Sequence, residues 1–190
     1  MSNLVVSRFS ESTLQGNKRF RERTGLGCLY GTPLTMNHFN VGEPVFVVEM
    51  NLAANRVEGV GLVLNLVKTG PQYDMYDDYN HNRYIYCGKY RLDRTDMETL
   101  EVSGTSVAAA DQTPPPTQPL VLDILDRALF KGKSHMKRGV YLSRITDKLL
   151  FRWGTISSKK IQDSIYKLFV DKFGISIEME EELNYELYGL

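Results

Sequence analysis

The spacing of apolar residues changes character along the chain. Between residues 45 and 67 the apolar positions are mostly β-branched and fall in two runs separated by "NLAAN", which is the pattern of a β-hairpin. From residue 120 onwards they recur at about 3.6 residues, the period of a helix packed on one side. The pattern therefore predicts an α+β protein with a β-rich N-terminal body and a helical C-terminal third.

Two more stretches of the N-terminal body have strand character. "CLYGTP" (28–33) predicts a short strand that runs into a turn, and "NRYIYCGKYRL" (82–92) alternates like a third long strand. In the second hairpin strand, Gly59 and Gly61 lie two residues apart and so share one face. Two missing side chains on one face predict a sharp bend or a group packed against the backbone. We therefore expect a small β-barrel, or a strongly bent antiparallel sheet of about five or six strands.

Three segments carry the signals of helices. "SESTLQGNKRFRER" (10–23) starts with Ser10 or Ser12 as N-cap and is stopped by "TGLG". "LVLDILDRALF" (120–130) places its apolar residues on one face. "SSKKIQDSIYKLFVDKFG" (157–174) has a serine cap, a clear apolar stripe and Gly174 as its stop signal. The first of these predicts an N-terminal helix on the β-rich body.

The composition also suggests where the chain divides. Residues 96–119 contain three consecutive prolines and small polar residues without an apolar period, which predicts a linker or a long surface loop. This places the β-rich body with its N-terminal helix in residues 1–95 and a basic helical region with an acidic end in residues 120–190. The two regions are either separate or packed as one domain.

The overall amino-acid composition excludes few classes of protein. The chain has 42% hydrophobic and 24% charged residues, which is ordinary for a globular protein. Its apolar stretches are too short for a membrane span, and its first residues lack the pattern of a signal peptide. Cys28 and Cys87 are outside CxxC spacing. They could form one disulfide, but we expect them to be reduced in an intracellular setting.

The net charge of zero conceals a strong asymmetry. Residues 131–160 contain nine lysines and arginines against Asp147 alone, a net charge of +8. Residues 178–190 contain five glutamates and no cation, a net charge of −5. Either the two regions neutralise each other in the fold, or the protein has a basic surface and a separate acidic region that balances its net charge.

The densest part of the basic region is "KGKSHMKRG" (131–139), bracketed by Gly132 and Gly139. Arginine forks and mobile lysines suit phosphate, and the amides of a glycine-rich loop can add further donors. The spacing is not that of a Walker A loop. The alternatives are an acidic protein partner and a solvated loop paired with the glutamates. The candidate anion-binding residues are Lys131, Lys133, His135, Lys137, Arg138 and Arg144.

Two further groups could extend such a surface. The predicted N-terminal helix carries Arg19, Arg21 and Arg23, which otherwise form an ordinary solvated helix face. Tyr84 and Tyr86 are candidate platforms for stacking unpaired bases. Tyrosines also fill strand faces and protein interfaces without any ligand, and this second explanation is favoured.

Signs of catalysis or of a cofactor are weak. Asp74, Asp77, Asp78 and His81 do not follow a calcium-loop template, and we predict no metal site and no cofactor. Residues that could form a nucleophile–base pair are present, but no recognisable catalytic motif surrounds them. They are Cys28, Cys87, His38, His81 and His135. An enzyme is therefore the less favoured class.

Several blocks of the chain resemble an uncharacterised protein family of nucleocytoplasmic large DNA viruses. They are "CLYGTP", "VFVVEMNLAANRVEGVGLVLN", "YNHNRYIYCGKYRLDR" and "LFKGKSHMKRG". The hairpin with "EGVGLV" also resembles the core of PUA-like modules of the ASCH and EVE group, small barrels that handle RNA or modified bases. The viral family has a more glycine-rich run after its basic motif, where this chain has Val140 and Tyr141.

The resemblance implies a viral protein of the infected host cell, in the cytoplasm, a viral factory or the virion. Three functional hypotheses stay open. The first is a non-enzymatic nucleic-acid-binding protein with a PUA-like body, and the second is a minor capsid or other virion protein whose basic loop contacts acidic neighbours. The third is an enzyme that acts on nucleic acid or a nucleotide.

Overall fold

The computed structural model describes residues 2–77, 79–102, 119–133, 135–139, 141–153 and 156–175. In chain order the elements are β1 Leu4–Phe9, α1 Glu11–Thr24, β2 Cys28–Thr32, β3 Pro44–Asn51, β4 Arg56–Leu64, β5 Tyr84–Gly88, β6 Tyr90–Asp93, α2 Val121–Phe130, β7 Ser143–Arg144, α3 Asp147–Leu150 and α4 Ser158–Phe173. Short 3-10 turns occupy Pro71–Tyr73, Tyr79–Asn82, Arg94–Met97 and Phe151–Trp153. The α+β class predicted from the sequence is confirmed.

Five strands form one open sheet in the order β6-β4-β3-β1-β7. The hairpin β3–β4 is antiparallel as predicted, but β1 lies parallel to β3, so the sheet is mixed rather than antiparallel. β1 and β3 can pair in parallel because the connection between them, which contains α1 and β2, is long enough to bring the chain back to the same end of the sheet. Strand β1 was missed, and the described strands do not close into a barrel.

The predicted third strand is in fact two strands that belong to different sheets. β5 pairs with β2 in a two-stranded ribbon, whereas β6 pairs with β4 at the edge of the large sheet. The change of sheet occurs where the chain passes very close to β4. A Cβ atom on Gly88 would lie 1.9 Å from the Leu62 carbonyl oxygen, so only glycine allows this approach.

The large sheet is buried on both faces. Leu4 and Val6 of β1, with Phe46 and Val48 of β3, face a core that includes α2 and α4. The alternate residues of these two strands face the ribbon β2–β5. Beyond the ribbon, Phe20 of α1 packs on a third, smaller cluster. The order of layers is therefore helices, large sheet, ribbon and α1, and the helical C-terminal third shares its core with the strands.

The predicted helices are confirmed, including their caps. The Ser10 hydroxyl accepts a hydrogen bond from the Thr13 amide at the start of α1, and Ser157 does the same for Lys160 at the start of α4. Gly25 and Gly174 end these helices with φ values of 74° and 67°. No helix in the described ranges is long and apolar enough to cross a membrane.

The proposed linker is fixed at both ends. Met97 and Val102 are fully buried, and Glu101 forms a β-bridge with Leu120. Residues 96–102 therefore belong to the folded body, because their apolar side chains enter the core. The proline-rich residues 103–118 and the acidic residues 178–190 lie outside the described part of the chain.

The two cysteines are free and buried. Cys28 faces the cluster between the ribbon and the large sheet, whereas Cys87 faces the cluster under α1. Because the two side chains point to opposite faces of the ribbon, they cannot be joined without rebuilding it.

A buried polar cluster connects the two sheets beneath Gly59 and Gly61. Glu49 of β3 is 1% exposed and accepts a hydrogen bond of 2.8 Å from the Tyr30 hydroxyl of β2. The Arg91 guanidinium of β6 donates to the same carboxylate, with its shortest contact at 2.7 Å. A Cβ atom on Gly61 would lie 2.1 Å from the Tyr30 hydroxyl, and one on Gly59 would lie 2.5 Å from the Arg91 guanidinium. The predicted close approach at these glycines is confirmed, and the approaching groups are the protein's own side chains.

This cluster holds one formal charge of each sign away from water. Burial lowers the pKa of Arg91, but the Glu49 carboxylate, together with Tyr30 and Asp93, raises this pKa by more, so Arg91 stays charged. Burial, together with the charge of Glu49, raises the pKa of Tyr30 well above its ordinary value, so its phenol stays protonated and donates.

We predict that Glu49→Gln strongly destabilises the protein. The substitution leaves the Arg91 charge buried, with the exposed Asp93 as its remaining carboxylate among the described residues and a long contact of 3.4 Å to the Glu58 carbonyl oxygen. Loss of one partner of a buried pair costs about 3–5 kcal/mol, and the contact with Asp93 favours the lower end. Urea unfolding followed by circular dichroism measures the free energy of unfolding.

The control is Asp163→Asn, which removes the carboxylate of the exposed Lys159–Asp163 pair one helical turn apart. This change should cost no more than about 0.5 kcal/mol. Equal losses for the two variants would show that the buried cluster does not hold the sheets together.

Candidate functional site

The basic segment 131–139 is a loop that follows α2 and folds back against it. The Met136 amide donates to the Leu129 carbonyl oxygen at 2.8 Å, which returns the loop to the last turn of the helix. Gly132 and Gly139 have φ values of 76° and 136°, conformations that side chains rarely adopt. The bracketing glycines therefore give the loop its shape.

An arginine that was not among the predicted residues anchors this loop. On the helix-facing side of β1, Leu4 and Val6 are followed by Arg8, whose Nε donates to the Met136 carbonyl oxygen. Both terminal nitrogens of its guanidinium lie 3.3 Å from the Ser143 hydroxyl of β7. Burial lowers the pKa of Arg8 from its ordinary value. The period-two pattern of "LVVSRF" is the signal that would have found it.

The predicted loop cations differ in exposure. Lys131, Lys133 and Arg138 are exposed, and no carboxylate in the described ranges pairs with them. Lys137 is half-buried with its ammonium 5.9 Å from the centre of the Phe130 ring. His135 is half-buried and accepts a hydrogen bond from the Lys137 amide. The outward charge of the loop therefore comes mainly from the three exposed cations.

Beside the loop lies a pocket of about 250 Å³ whose lining includes three more basic residues. They are Arg144 of β7, Lys148 of α3 and Arg152 of the turn that follows α3. The other described residues of its lining are Met136, Thr146 and Leu149, and none of these six described residues is acidic. Since Met136 belongs to the loop, the pocket and the loop are continuous. We call Lys131, Lys133, Lys137, Arg138, Arg144, Lys148 and Arg152 together the basic surface.

Arg144 is held in position by groups outside the pocket. Its guanidinium donates to the Ser2 carbonyl oxygen at 2.9 Å and lies 5.0 Å from the centre of the Phe39 ring. Partial burial, and then the charge of Arg144, lowers the pKa of the neighbouring His38. Lys148 and Arg152 belong to the basic region of the sequence but were not among the predicted site residues, because their spacing alone does not show that they join Arg144.

The arginines of α1 line a different pocket. Arg19 and Arg23, one turn apart, line a pocket of about 390 Å³ together with Asp74 and Met75. Arg21 instead donates to the Asn17 side chain and the Gly27 carbonyl oxygen, which closes the end of the helix. The three arginines therefore do not act as one cationic stripe, and Asp74 lowers the positive potential of their pocket.

The candidate stacking tyrosines are mostly enclosed. Tyr86 has no exposed surface, and its hydroxyl accepts a hydrogen bond of 2.9 Å from the Met36 amide. Its ring is therefore core and cannot stack on a base. Tyr84 is half-buried, with the Arg83 guanidinium 5.2 Å from the centre of its ring.

The remaining candidates for chemistry have structural partners. His38 packs on Phe39, and His81 packs edge-on against Tyr141 at 4.6 Å between ring centres. The Cys28 thiol lies 3.5 Å from the Leu62 carbonyl oxygen. In the described part of the chain, no three His, Cys, Asp or Glu residues come together as metal ligands. Asp78 lies outside that part.

No family model, curated protein or solved structure matches the chain.

We predict that Arg8→Gln loosens the basic loop. The substitution removes a charge-assisted hydrogen bond to the Met136 carbonyl, so amides of residues 135–139 and 141–144 should exchange with deuterium about tenfold faster. Hydrogen exchange measured by mass spectrometry tests this. Arg83→Gln, at an exposed arginine outside the loop, should leave these amides unchanged. Unchanged protection in Arg8→Gln would mean that the loop is held by other contacts.

We also predict that Asp147, the first residue of α3, makes a pH-dependent contribution to the free energy of unfolding. Its carboxylate accepts hydrogen bonds of 2.7 Å from the hydroxyl and the amide of Ser158, and these bonds lower the pKa of Asp147 below its ordinary value of 3.8. A lowered pKa means that the ionised form stabilises the fold above the pKa of the unfolded chain. This stabilisation is lost as the pH falls through the lower pKa of the folded state.

Asp147→Asn should therefore reduce the free energy of unfolding at pH 7 by no more than about 1 kcal/mol, because solvent screens an exposed carboxylate. The difference from the wild type should shrink as the pH falls below 3.8. Ser158→Ala removes one of the donors and should reduce the same pH-dependent difference. A difference between wild type and Asp147→Asn that stays constant as the pH falls from 7 to well below 3.8 would contradict this assignment.

Proposed function

We propose that the chain is a non-enzymatic nucleic-acid-binding protein of a large DNA virus, which contacts phosphates through the basic surface. The observation that carries the proposal is the continuity of the loop and the pocket through Met136, which puts exposed cations and a cation-lined pocket side by side. The phosphate backbone of a nucleic acid suits such a surface, because each phosphate that a cation neutralises releases counterions and so adds to the affinity. The viral part of the proposal rests on the resemblance alone.

The chemistry of the surface supports this choice. Lysines on a loop are mobile point charges that can follow an irregular backbone, whereas the exposed Arg138 can donate two parallel hydrogen bonds to one phosphate. Fixed spacing to base edges is not required for such contacts. We therefore propose binding with little sequence preference, in which phosphates supply most of the affinity.

The PUA-like body is the finer part of the proposal. It is supported by the hairpin β3–β4, whose two glycines receive groups from a second sheet, and by the small ribbon packed on the large sheet. The open mixed sheet with β1 parallel to β3 departs from a simple barrel. On this proposal the body serves to hold the basic surface, and the protein acts in the cytoplasm or viral factory of an infected cell.

The salt dependence of binding tests the proposal. Fluorescence anisotropy with labelled single- and double-stranded DNA and RNA should show affinity that falls steeply as salt rises. In the loop variant Lys133→Gln with Arg138→Gln, the slope of log affinity against log salt should decrease by about one unit per lost phosphate contact. The control variant Lys89→Gln with Lys167→Gln removes the same charge from exposed positions on other elements and should leave the slope unchanged.

Two results would overturn the proposal. The first is negligible binding of all four nucleic acids at low salt. The second is an equal loss of binding in the loop and control variants, which would mean that binding depends only on the net charge of the protein. Retention on a polyglutamate column together with no nucleic-acid binding would instead favour a virion protein that contacts acidic neighbours.

A further inference from the structure

The turn that follows α3 brings an aromatic side chain to the start of the basic loop. The turn consists of Phe151–Trp153 and lies beside α2, the helix that leads directly into the loop. A Cβ atom on Gly132 would lie 3.7 Å from Cζ2 of the Trp153 indole, in ordinary van der Waals contact. Because Gly132 has no side chain, it does not cover this edge of the indole. Its neighbours in sequence, Lys131 and Lys133, are both exposed.

Phe151 has an unusual environment for a phenylalanine. The chain has eight phenylalanines, all of them in the described ranges, and Phe151 alone is exposed, with 56% of its surface accessible. Its ring has no ring or cation partner among the described residues. Trp153 is half-buried and packs with part of its surface on the main core. One exposed apolar residue needs no explanation, but an exposed ring beside an indole and two lysines is the combination found in sites for single strands.

We propose that Phe151 and Trp153 form a platform on which unpaired bases stack, so that the protein prefers single-stranded nucleic acid to a duplex. This inference rests on the proposed function and adds the form of nucleic acid that is recognised. Sites for single strands combine cations that follow the backbone with aromatic side chains on which successive bases stack. Lys131 and Lys133 supply the cations, and the turn supplies the aromatic side chains.

Stacking distinguishes the two forms because the bases of a duplex are already paired and stacked on one another. Their faces become available to an aromatic side chain only when the duplex opens. Phosphate contacts alone give no preference for single strands, since a duplex carries more charge per unit length. A preference for the single strand would therefore come from the platform and not from the cations.

The platform is held by the core. Leu150, the residue before Phe151, has no exposed surface, and the Phe151 amide donates to the Asp147 carbonyl oxygen. A phenylalanine on a fixed turn has only two side-chain torsions to order, so little conformational entropy is lost when a base stacks on it. Every base has a π-face, so stacking is compatible with binding that has little sequence preference.

The first test compares a labelled single-stranded oligonucleotide with the duplex of the same sequence at one salt concentration. Fluorescence anisotropy should show that the wild type binds the single strand about tenfold more tightly. The chain has one tryptophan, so fluorescence excited where tyrosine barely absorbs comes from Trp153 alone. A saturating concentration of the single strand should quench this fluorescence, whereas the duplex should leave it nearly unchanged.

Variants of Phe151 separate stacking from a general apolar contact. Phe151→Leu keeps an apolar side chain without the ring, so it should weaken binding of the single strand about fivefold or more and leave duplex binding unchanged. Phe151→Tyr keeps the ring and should bind like the wild type. The control Tyr79→Leu removes an aromatic residue that is 83% exposed and lies outside the turn, and it should change neither affinity. Thermal unfolding of each variant checks that the fold is intact.

Equal or tighter binding of the duplex by the wild type, with steep salt dependence, would overturn the inference and leave the proposed function standing. Absence of binding to either form would overturn both. A Phe151→Leu variant that weakens the two forms equally, or that weakens neither, would also overturn the inference, because the ring would then not distinguish them.

Discussion

The packing of the two sheets depends on a carboxylate that has no access to water. Glu49 accepts hydrogen bonds from Tyr30 of the ribbon and from Arg91 at the edge of the large sheet, so three strands meet at one charged group. A buried charge is tolerated only when its partners are close and well oriented. That requirement explains the glycines opposite it on β4, since any side chain there would displace Tyr30 or Arg91.

The sequence was informative wherever a local signal determined the structure. The caps of α1 and α4, the hairpin β3–β4 and the close approach at Gly59 and Gly61 were all predictable, because each depends on neighbouring residues. The identity of the groups against these glycines was not predictable, since Tyr30 and Arg91 are distant in sequence. For the same reason the stretch 82–92 was predicted as one strand although its halves pair with different sheets.

The candidate site was likewise predictable only where local sequence signals determine it. A dense run of cations identified the segment, and the two glycines that bracket it indicated a loop. The anchor Arg8 lies in a strand more than a hundred residues away, and the pocket needs β7, α3 and a turn to bring its cations together. Tyr86 was named as a candidate for stacking although packing in a strand face was favoured, because alternation in a strand does not reveal which face is covered by a second sheet.

Strand β7 has only two residues, yet it lies beside the strongly apolar β1. Without it, β1 would present an open row of backbone donors and acceptors to other chains, the arrangement from which intermolecular sheets grow. The chain after the basic loop returns as β7 and covers this row from Leu4 to Val6. This short strand carries a cation, Arg144, and charged short edges discourage pairing between molecules. The segment that we propose to hold a ligand therefore also protects the protein against aggregation, so mutations that loosen it should be costly even to molecules that never meet a nucleic acid.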